Sequence, residues 1–296
     1  MRRLVGAMML VLVASGIVRA QDMALTGVLI DGEGWQLVAE GFKFTEGPAV
    51  DGDGRVYFTD IPNSRIHRVE LDGKVSVFAD NSQRTNGLMF GPDGKLYGCQ
   101  MGTKRVVAFD SQGQATTVAE GIDCNDLVVN SRGGIYVTEP PRNRVWYISP
   151  PPAREKRIVA EGFRPNGVIL WADEATLVVT DSDAPHLWTF RVEQDGRLTC
   201  KERYYHPLQL PSGRDKPGSD GMTVDAQGRL YVATAAGLQM FDPTGRLGGT
   251  ILKPQIGPLS NACFGGPKLD TLYVTAGDKV FRRRTQATGV RYGARK

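Results

Sequence analysis

The chain has 296 residues, of which 41% are hydrophobic and 23% are charged, and its 36 glycines and 17 prolines stay below the proportion typical of disordered chains. Its formal charge is +4, but residues 1–20 contain three arginines and no acidic residue, so the rest of the chain carries only about +1. This balance excludes a strongly basic nucleic-acid-binding protein, and we expect no nucleic-acid partner.

The first element along the chain is a targeting segment. Arg2 and Arg3 precede an apolar run, residues 4–18, which is followed by the small-residue pattern that ends at Ala20. This arrangement predicts a secretory signal peptide over residues 1–20. The run is too short to span a bilayer, and no later stretch reaches about 18 consecutive apolar residues. We therefore expect residues 21–296 to be exported, periplasmic or secreted, and to have no membrane association after cleavage.

The rest of the chain repeats one pattern six times. Each copy has a polar residue, usually a following glycine, a short apolar stretch, a glycine-containing turn and a second strand rich in β-branched and aromatic residues. The copies begin at Glu46, Asn86, Asn125, Asn166, Asp220 and Asn261. Two more strands follow the second strand in each copy, as in 65–70 and 75–79. Six units of four strands predict an all-β fold, a single six-bladed β-propeller domain over residues 21–296.

Two segments outside the repeat are interpreted within this propeller. Residues 34–41 are expected to add the outermost strand to the last blade, because closing the ring with both ends of the chain removes an exposed sheet edge. Residues 204–218, rich in proline and charge, are expected to form a lid or rim over one face, and His206 could then lie over the channel. The four cysteines show no Cys-x-x-Cys spacing, and we expect mostly buried free thiols. Because the protein is expected to be exported, one disulfide is the alternative.

The first polar residue of each copy is the candidate functional position. In a propeller the innermost strands face the central channel, so rotational pseudo-symmetry gathers these six side chains at one mouth. They provide only oxygen ligands, from two carboxylates and up to four amides. Such a set suits one divalent hard cation, most naturally Ca²⁺, with Mg²⁺ or Mn²⁺ as alternatives, and it disfavours a structural zinc site.

Turn chemistry is the competing explanation for these polar residues. Asn-Gly and Asp-Gly are common turn dipeptides, and this accounts for the copies that begin at Asn86, Asn166 and Asp220. It does not account for Glu46, nor for the two asparagines that lack a following glycine. A ring of functional residues is therefore the preferred interpretation.

Five phrases of the repeat resemble the signatures of a known family. They are Thr45-Glu46-Gly47-Pro48, Asn125-Asp126-Leu127-Val128-Val129, Arg164-Pro165-Asn166-Gly167, Ser219-Asp220-Gly221-Met222 and Ala262-Cys263-Phe264-Gly265-Gly266. In this order and at this spacing the chain resembles the SMP-30/gluconolactonase (regucalcin-like) family, as a bacterial gluconolactonase-like member, over about residues 35 to 285.

The resemblance implies a site and a reaction. It implies a divalent metal held by Glu46, Asn166 and Asp220, with Asn125 as a further ligand or a substrate contact. It also implies that the metal polarises the carbonyl of a sugar-acid lactone while Asp220 acts as base or nucleophile. Two alternatives stay open: hydrolysis of another activated ester or an organophosphate on the same site, and a non-catalytic binding propeller braced by the metal.

The residues expected to contact substrate depart partly from the family pattern. A basic residue is usual two positions before the asparagine that matches Asn125, and here that position is Asp123. Arg84, two positions before Asn86, is a candidate for the missing positive group, with an exposed rim arginine as the alternative. Glu139 is a candidate contact for sugar hydroxyls, with a solvated strand end as the alternative. Asn86 completes the predicted substrate-binding set.

Overall fold

The computed structural model describes residues 25–292, so the predicted signal peptide lies outside the described residues. These residues form 24 strands in six four-stranded antiparallel sheets, and one 3₁₀ turn at Pro140–Arg142. No helix in this part of the chain has the length and apolar character needed to cross a membrane. The six sheets are the predicted blades, and the all-β six-bladed propeller is confirmed.

The first five blades follow the chain without interruption. Blade 1 contains β2 (Thr45–Val50), β3 (Val56–Asp60), β4 (Arg65–Val69) and β5 (Val75–Ala79). Blade 2 contains β6 (Thr85–Phe90), β7 (Leu96–Gln100), β8 (Arg105–Phe109) and β9 (Ala115–Glu120). Blade 3 contains β10 (Leu127–Val129), β11 (Ile135–Glu139), β12 (Arg144–Ile148) and β13 (Lys156–Glu161). Blade 4 contains β14 (Pro165–Leu170), β15 (Thr176–Asp181), β16 (Leu187–Val192) and β17 (Leu198–Glu202). Blade 5 contains β18 (Met222–Val224), β19 (Leu230–Ala233), β20 (Leu238–Phe241) and β21 (Leu247–Ile251).

The sixth blade closes the ring with both ends of the chain. It contains β22 (Asn261–Gly265), β23 (Thr271–Ala276), β24 (Lys279–Arg284) and, as its outermost strand, β1 (Gln36–Glu40). The β1 strand pairs antiparallel with β24, from Gln36 opposite Arg282 to Glu40 opposite Lys279. The segment predicted to close the ring therefore does so, and the β24 edge is covered.

Side-chain capping shapes the turns between the first two strands of the blades. In blade 1 the Asp51 carboxylate accepts the backbone N–H groups of Asp53 and Arg55, both at 3.0 Å. Gly54 then takes a φ of +97°, and a side chain there would collide with the Gly266 carbonyl of blade 6. Asp225 caps the corresponding turn of blade 5 in the same way. These turns set the register that sends alternate side chains into the spaces between blades.

The hydrophobic core lies between neighbouring blades. In five of the blades the second strand carries one tyrosine that is buried there: Tyr57, Tyr97, Tyr136, Tyr231 and Tyr273. Tyr57 meets Phe90 of blade 2 edge to face at 5.0 Å, and Tyr231 meets Phe264 of blade 6 at 5.4 Å. Burial of each such aromatic side chain contributes about 1.5–3 kcal/mol, so contacts between blades dominate the stability of the propeller.

The segment after β17 differs from the expected lid in its first half. The Tyr204 hydroxyl donates to the Pro243 carbonyl, and the His206 N–H donates to the Gly245 carbonyl, in the outer turn of blade 5 at the face opposite the ring of polar residues. Tyr205 is buried in the core between blades 4 and 5, and its hydroxyl accepts the Trp171 indole N–H. Burial of this aromatic ring holds the first half, including His206, away from the mouth. From Leu208 onward the segment contacts the turn of blade 4 after β15, where the Leu208 N–H donates to the Pro185 carbonyl at 2.8 Å and Lys216 pairs with Asp183.

All four cysteines are free thiols in the described part of the chain, with Cys99, Cys124 and Cys263 buried and Cys200 exposed.

Candidate metal and lactone site

The six polar residues lie together at one mouth of the channel. Each stands at or just before the start of an innermost strand, and the innermost strands contact one another in blade order around the channel. Hydrogen bonds between blades fix this arrangement. The Gly87 N–H donates to the Asn125 carbonyl at 3.0 Å, the Gly221 N–H to the Ser260 carbonyl at 2.8 Å, and the Ser260 hydroxyl to the Thr45 carbonyl at 2.9 Å.

Strand geometry, not turn geometry, aims the side chains. Asn86 and Asn166 lie inside β6 and β14, so turn chemistry does not explain their Asn-Gly pairs. The pairing with the second strand shifts register after Glu46 in blade 1 and across Asn86 and Asn166 in blades 2 and 4. Such a bulge redirects a side chain from the sheet face toward the channel.

The glycine that follows most of the polar residues allows neighbouring blades to approach. A Cβ at Gly47 would collide with the Asn86 carbonyl, and one at Gly167 with the Asp220 carbonyl. A Cβ at Gly221 would collide with the Asn261 side chain. The glycine of the repeated dipeptide therefore permits close contact between neighbouring innermost strands.

Glu46 and Asn261 form one side of the site. The Glu46 carboxylate is buried, and its Oε2 atom accepts the Gly47 N–H at 2.5 Å and the Asn261 Nδ2 donor at 3.3 Å. Burial raises the pKa of Glu46 to about 7, although both hydrogen bonds act in the opposite direction. Because burial disfavours the ionised form of Glu46, a nearby cation would stabilise its carboxylate.

Asp220 and Asn166 form the other side. Burial, followed by the charges of Glu46 and Asp126, raises the pKa of Asp220 well above its ordinary value, and a hydrogen bond with Asn166 opposes this increase. The Asn166 Oδ1 atom is buried and has no hydrogen-bond partner. An unpartnered buried carbonyl oxygen is costly unless a donor or a cation satisfies it.

Asp126 is a third carboxylate that the sequence reasoning missed. It is buried; its Oδ1 accepts the Leu127 N–H at 2.9 Å and its Oδ2 accepts the Val168 N–H of blade 4 at 3.3 Å. Burial, and then the charge of Glu46, raise its pKa to about 7. The sequence held a signal, because Asp126 occupies the position where four of the six copies have glycine.

The donor set fits a hard divalent cation. The carboxyl groups of Glu46, Asp126 and Asp220 lie close enough for their charges to interact. In a buried site, three ionised carboxylates are unfavourable unless a cation compensates their charge. The orphaned Asn166 Oδ1 supplies an amide oxygen of the kind that Ca²⁺ accepts. Residues 25–292 contain no cluster of three or more His, Cys, Asp or Glu side chains arranged to hold a metal. Amide oxygens must therefore complete any ligand set here.

The structure places the predicted substrate residues unevenly. Asn86 is buried, with its Nδ2 atom 3.6 Å from the Met101 sulfur, and Asn125 is half-buried beside it. Arg84 is exposed, in the left-handed region at φ +56°, and forms no ion pair within residues 25–292. Asp123 pairs with Lys104 of blade 2 at 2.9 Å, so a lysine of the neighbouring blade lies beside the position that is basic in the family pattern.

Glu139 is fully buried, which excludes the solvated strand end. Its Oε1 atom accepts the Arg142 guanidinium at 2.6 Å and the Asp123 N–H at 3.0 Å, and its Oε2 accepts the Trp146 indole N–H at 2.8 Å. Burial raises the pKa of Glu139, but these three hydrogen bonds outweigh burial and lower it overall. Glu139 thus holds Asp123 and the loop before Asn125 in place, and contact with substrate stays a prediction.

Comparison with known proteins identifies the family. Residues 44–278 match the family model described as SMP-30/Gluconolactonase/LRE-like region. The chain belongs to this family. The gluconolactonase of Zymomonas mobilis is 29% identical over 293 residues, covering 86% of this chain and 82% of that protein. The predicted SMP-30/gluconolactonase membership and the lactonase class of enzyme are confirmed.

Two solved structures share the fold of this SMP-30/gluconolactonase member. A gluconolactonase from Xanthomonas campestris superposes with a TM-score of 0.79 at 25% identity, covering 88% of this chain and 92% of that chain. Regucalcin from Agrobacterium tumefaciens, described as a calcium-binding protein, superposes with a TM-score of 0.72 at 16% identity, covering 88% and 97%. At that identity regucalcin supports the fold alone.

Proposed function

We propose that the protein is an exported, metal-dependent lactonase that opens a sugar-acid lactone at the mouth lined by Glu46, Asn166 and Asp220. The observation that carries this proposal is the buried, unpartnered Asn166 Oδ1 beside carboxyl groups whose pKa values are raised. The gluconolactonases of Zymomonas mobilis and Xanthomonas campestris support the lactone substrate.

Glu46, Asn166 and Asp220 would hold the cation, with Asn125 as a further ligand or a substrate contact. Ca²⁺ is favoured because amide oxygens complete the set; Mg²⁺ and Mn²⁺ are the alternatives. A divalent cation bound there would polarise a carbonyl oxygen and offset the negative charge that develops on it.

Asp220 is the proposed reacting residue. Its carboxylate either accepts a proton from the attacking water, or attacks the lactone carbonyl carbon itself to form an acyl-enzyme that water then hydrolyses; in both cases the ring C–O bond breaks and the ring oxygen takes up a proton. In the metal-free site, burial and the neighbouring Glu46 and Asp126 raise the pKa of Asp220; a bound cation would act in the opposite direction and keep the carboxylate ionised, so that it can accept a proton. Asn86, Asn125, Glu139 and Arg84 are the proposed substrate contacts, with Lys104 beside Asp123 as a nearby positive group.

The deciding experiment measures proton release with a pH indicator. Purified residues 21–296 are mixed with glucono-δ-lactone after EDTA treatment, and Ca²⁺, Mg²⁺ or Mn²⁺ is then returned. We expect metal-restored hydrolysis that Asp220→Ala lacks and that Asp183→Ala, at an exposed aspartate outside the ring, retains. Thermal melting of both variants shows whether they stay folded.

The other outcomes separate the alternatives. If the metal binds but pentonic and hexonic lactones are not hydrolysed above background, the sugar-lactonase proposal fails, and activated esters and organophosphates become the next substrates. A metal that only braces the propeller predicts that Asp220→Asn lowers the melting temperature together with metal affinity and that no ester is hydrolysed.

Export is part of the same proposal. Expression of the full chain in a Gram-negative host, followed by fractionation and N-terminal sequencing, should give a periplasmic protein that begins at Gln21. A cytoplasmic protein that keeps Met1 would contradict the proposed signal peptide.

A further inference from the structure

A cavity of about 620 Å³ occupies the channel below the ring of polar residues. The innermost strands start at the ring and end at the first turns of the blades, and apolar side chains from these strands form its walls. Among them are Leu88, Met89, Phe90, Ile169, Met222 and Phe264. Its inner end reaches Asp126 and Asn261, whereas the proposed metal residues Glu46, Asn125, Asn166 and Asp220 do not line it. It opens at the opposite face, between the first turns of blades 1 and 2.

The C-terminal segment crosses that opposite face. We call residues 285–292 the strap. Gly289 forms a β-bridge with Asp225 of blade 5, and its N–H donates to Leu269 of blade 6 at 2.8 Å. The Tyr292 hydroxyl donates to the Leu170 carbonyl of blade 4 at 2.6 Å. Val290, Arg291 and Tyr292 therefore become part of the cavity wall.

Arg291 is the one cation at the opening that lacks an ion pair within the described part of the chain. Its guanidinium donates to the carbonyls of Gly52 at 2.6 Å and Pro267 at 3.0 Å, which orient the group without giving it a carboxylate partner. The other two arginines of the lining are neutralised: Arg55 pairs with Asp51 and Asp53, and Arg68 pairs with Glu70.

We propose that this cavity is a second binding site, for a small amphipathic carboxylate whose apolar body lies in the channel and whose anionic head meets Arg291. The volume falls in the range of small-molecule sites, and the walls are mostly apolar. Removal of the apolar body from water favours binding. Arg291 lies at the open end and the buried Asp126 at the inner end, so the carboxylate of the ligand faces outward.

The test uses decanoate as the probe and decanol as its uncharged counterpart, both measured by titration calorimetry. We expect decanoate to bind at one site, and Arg291→Gln to weaken it at least tenfold while leaving decanol unchanged. Val290→Trp, which fills the cavity from the strap, should abolish binding of both. Arg246→Gln, an exposed arginine on the same face outside the cavity, is the matched control and should bind normally, with melting temperatures recorded for every variant.

Three results would overturn the inference. Wild type that binds neither probe removes the site, and equal affinity for decanoate in wild type and Arg291→Gln removes the role of the guanidinium. Loss of decanoate binding in Asp220→Ala would place the probe at the ring instead of the cavity. Because lactone hydrolysis is not a readout here, failure of the lactonase proposal leaves this test intact.

Discussion

Asp126 takes the position of a glycine in blade 3 and adds a third carboxyl group to the site. It contacts blade 4 through the Val168 N–H, and its charge acts on Asp220. The glycine at Gly87 makes room for it, because a Cβ there would collide with its Oδ1 atom. One residue therefore couples the packing of three blades to the electrostatics of the proposed metal site.

The raised pKa values predict how the stability of the metal-free protein depends on pH. Glu46 and Asp126 have pKa values of about 7 in the folded protein, above the ordinary values near 4 of the unfolded chain. Between these values the folded protein binds more protons, so stability falls as the pH rises from about 4 to 7, by up to about 1.4 kcal/mol per pH unit and group. In EDTA, the melting temperature should be lower at pH 7.5 than at pH 5, and Ca²⁺ should restore it.

Asp126→Asn is the matched variant for this prediction. It keeps the side-chain volume and an oxygen acceptor for Leu127 or Val168 but removes one charge, so the pH dependence should become smaller and metal affinity should fall severalfold. Asp183→Asn should behave as wild type. If the metal-free protein melts at an equal or higher temperature at pH 7.5 than at pH 5, ionisation of the three carboxyl groups does not destabilise the folded state.

At the scale of the elements, neighbouring innermost strands lie so close at the repeated glycine that a Cβ atom would not fit between them. The Gly167→Ala change places a methyl group against the Asp220 carbonyl of the next blade. We expect a loss of about 1–3 kcal/mol of stability from overpacking, and weaker metal binding because β14 and the start of blade 5 must separate. Chemical denaturation and calorimetric metal titration measure the two effects.

Gly34→Ala is the control for that substitution, because no atom lies within 4 Å of a Cβ at Gly34. It should be neutral in both measurements. If Gly167→Ala is equally neutral, the repeated glycine does not set the distance between blades.

The elements also show where the sequence was sufficient. The repeat spacing predicted the six blades, the turn glycines predicted the hairpins, and Gly54 takes the positive φ that its turn needs. By contrast, the aromatic residues at the start of residues 204–218 gave no sign of their direction. Tyr205 turns into the core between blades 4 and 5, and a lid needs the opposite direction.

At the scale of the whole molecule, ring closure depends on one terminal strand. Deleting residues 21–41 removes β1 and exposes the β24 edge, and it also removes Val28 from the core of blades 5 and 6. We expect a lower melting temperature and concentration-dependent association, measured by calorimetry and light scattering. Leu37→Lys is the control, because that side chain is half-exposed while the backbone pairing of β1 is kept. A truncated chain that melts like wild type as a monodisperse species would mean that β1 is not needed for closure.

The sequence by itself determined the fold, the family and the six polar positions of the candidate site, because each follows from local patterns that recur about every forty residues. The tertiary structure decided what joins distant parts of the chain. It buried Glu139 among hydrogen-bond donors, added Asp126 to the ring, and carried the strap to Leu170, 122 residues from Tyr292 in the chain. The contacts of Glu139 and Asp126 depend on strand pairing within blade 3 and on packing against blade 4, and the contact of Tyr292 with Leu170 depends on closure of the ring; none of them has a period in the sequence.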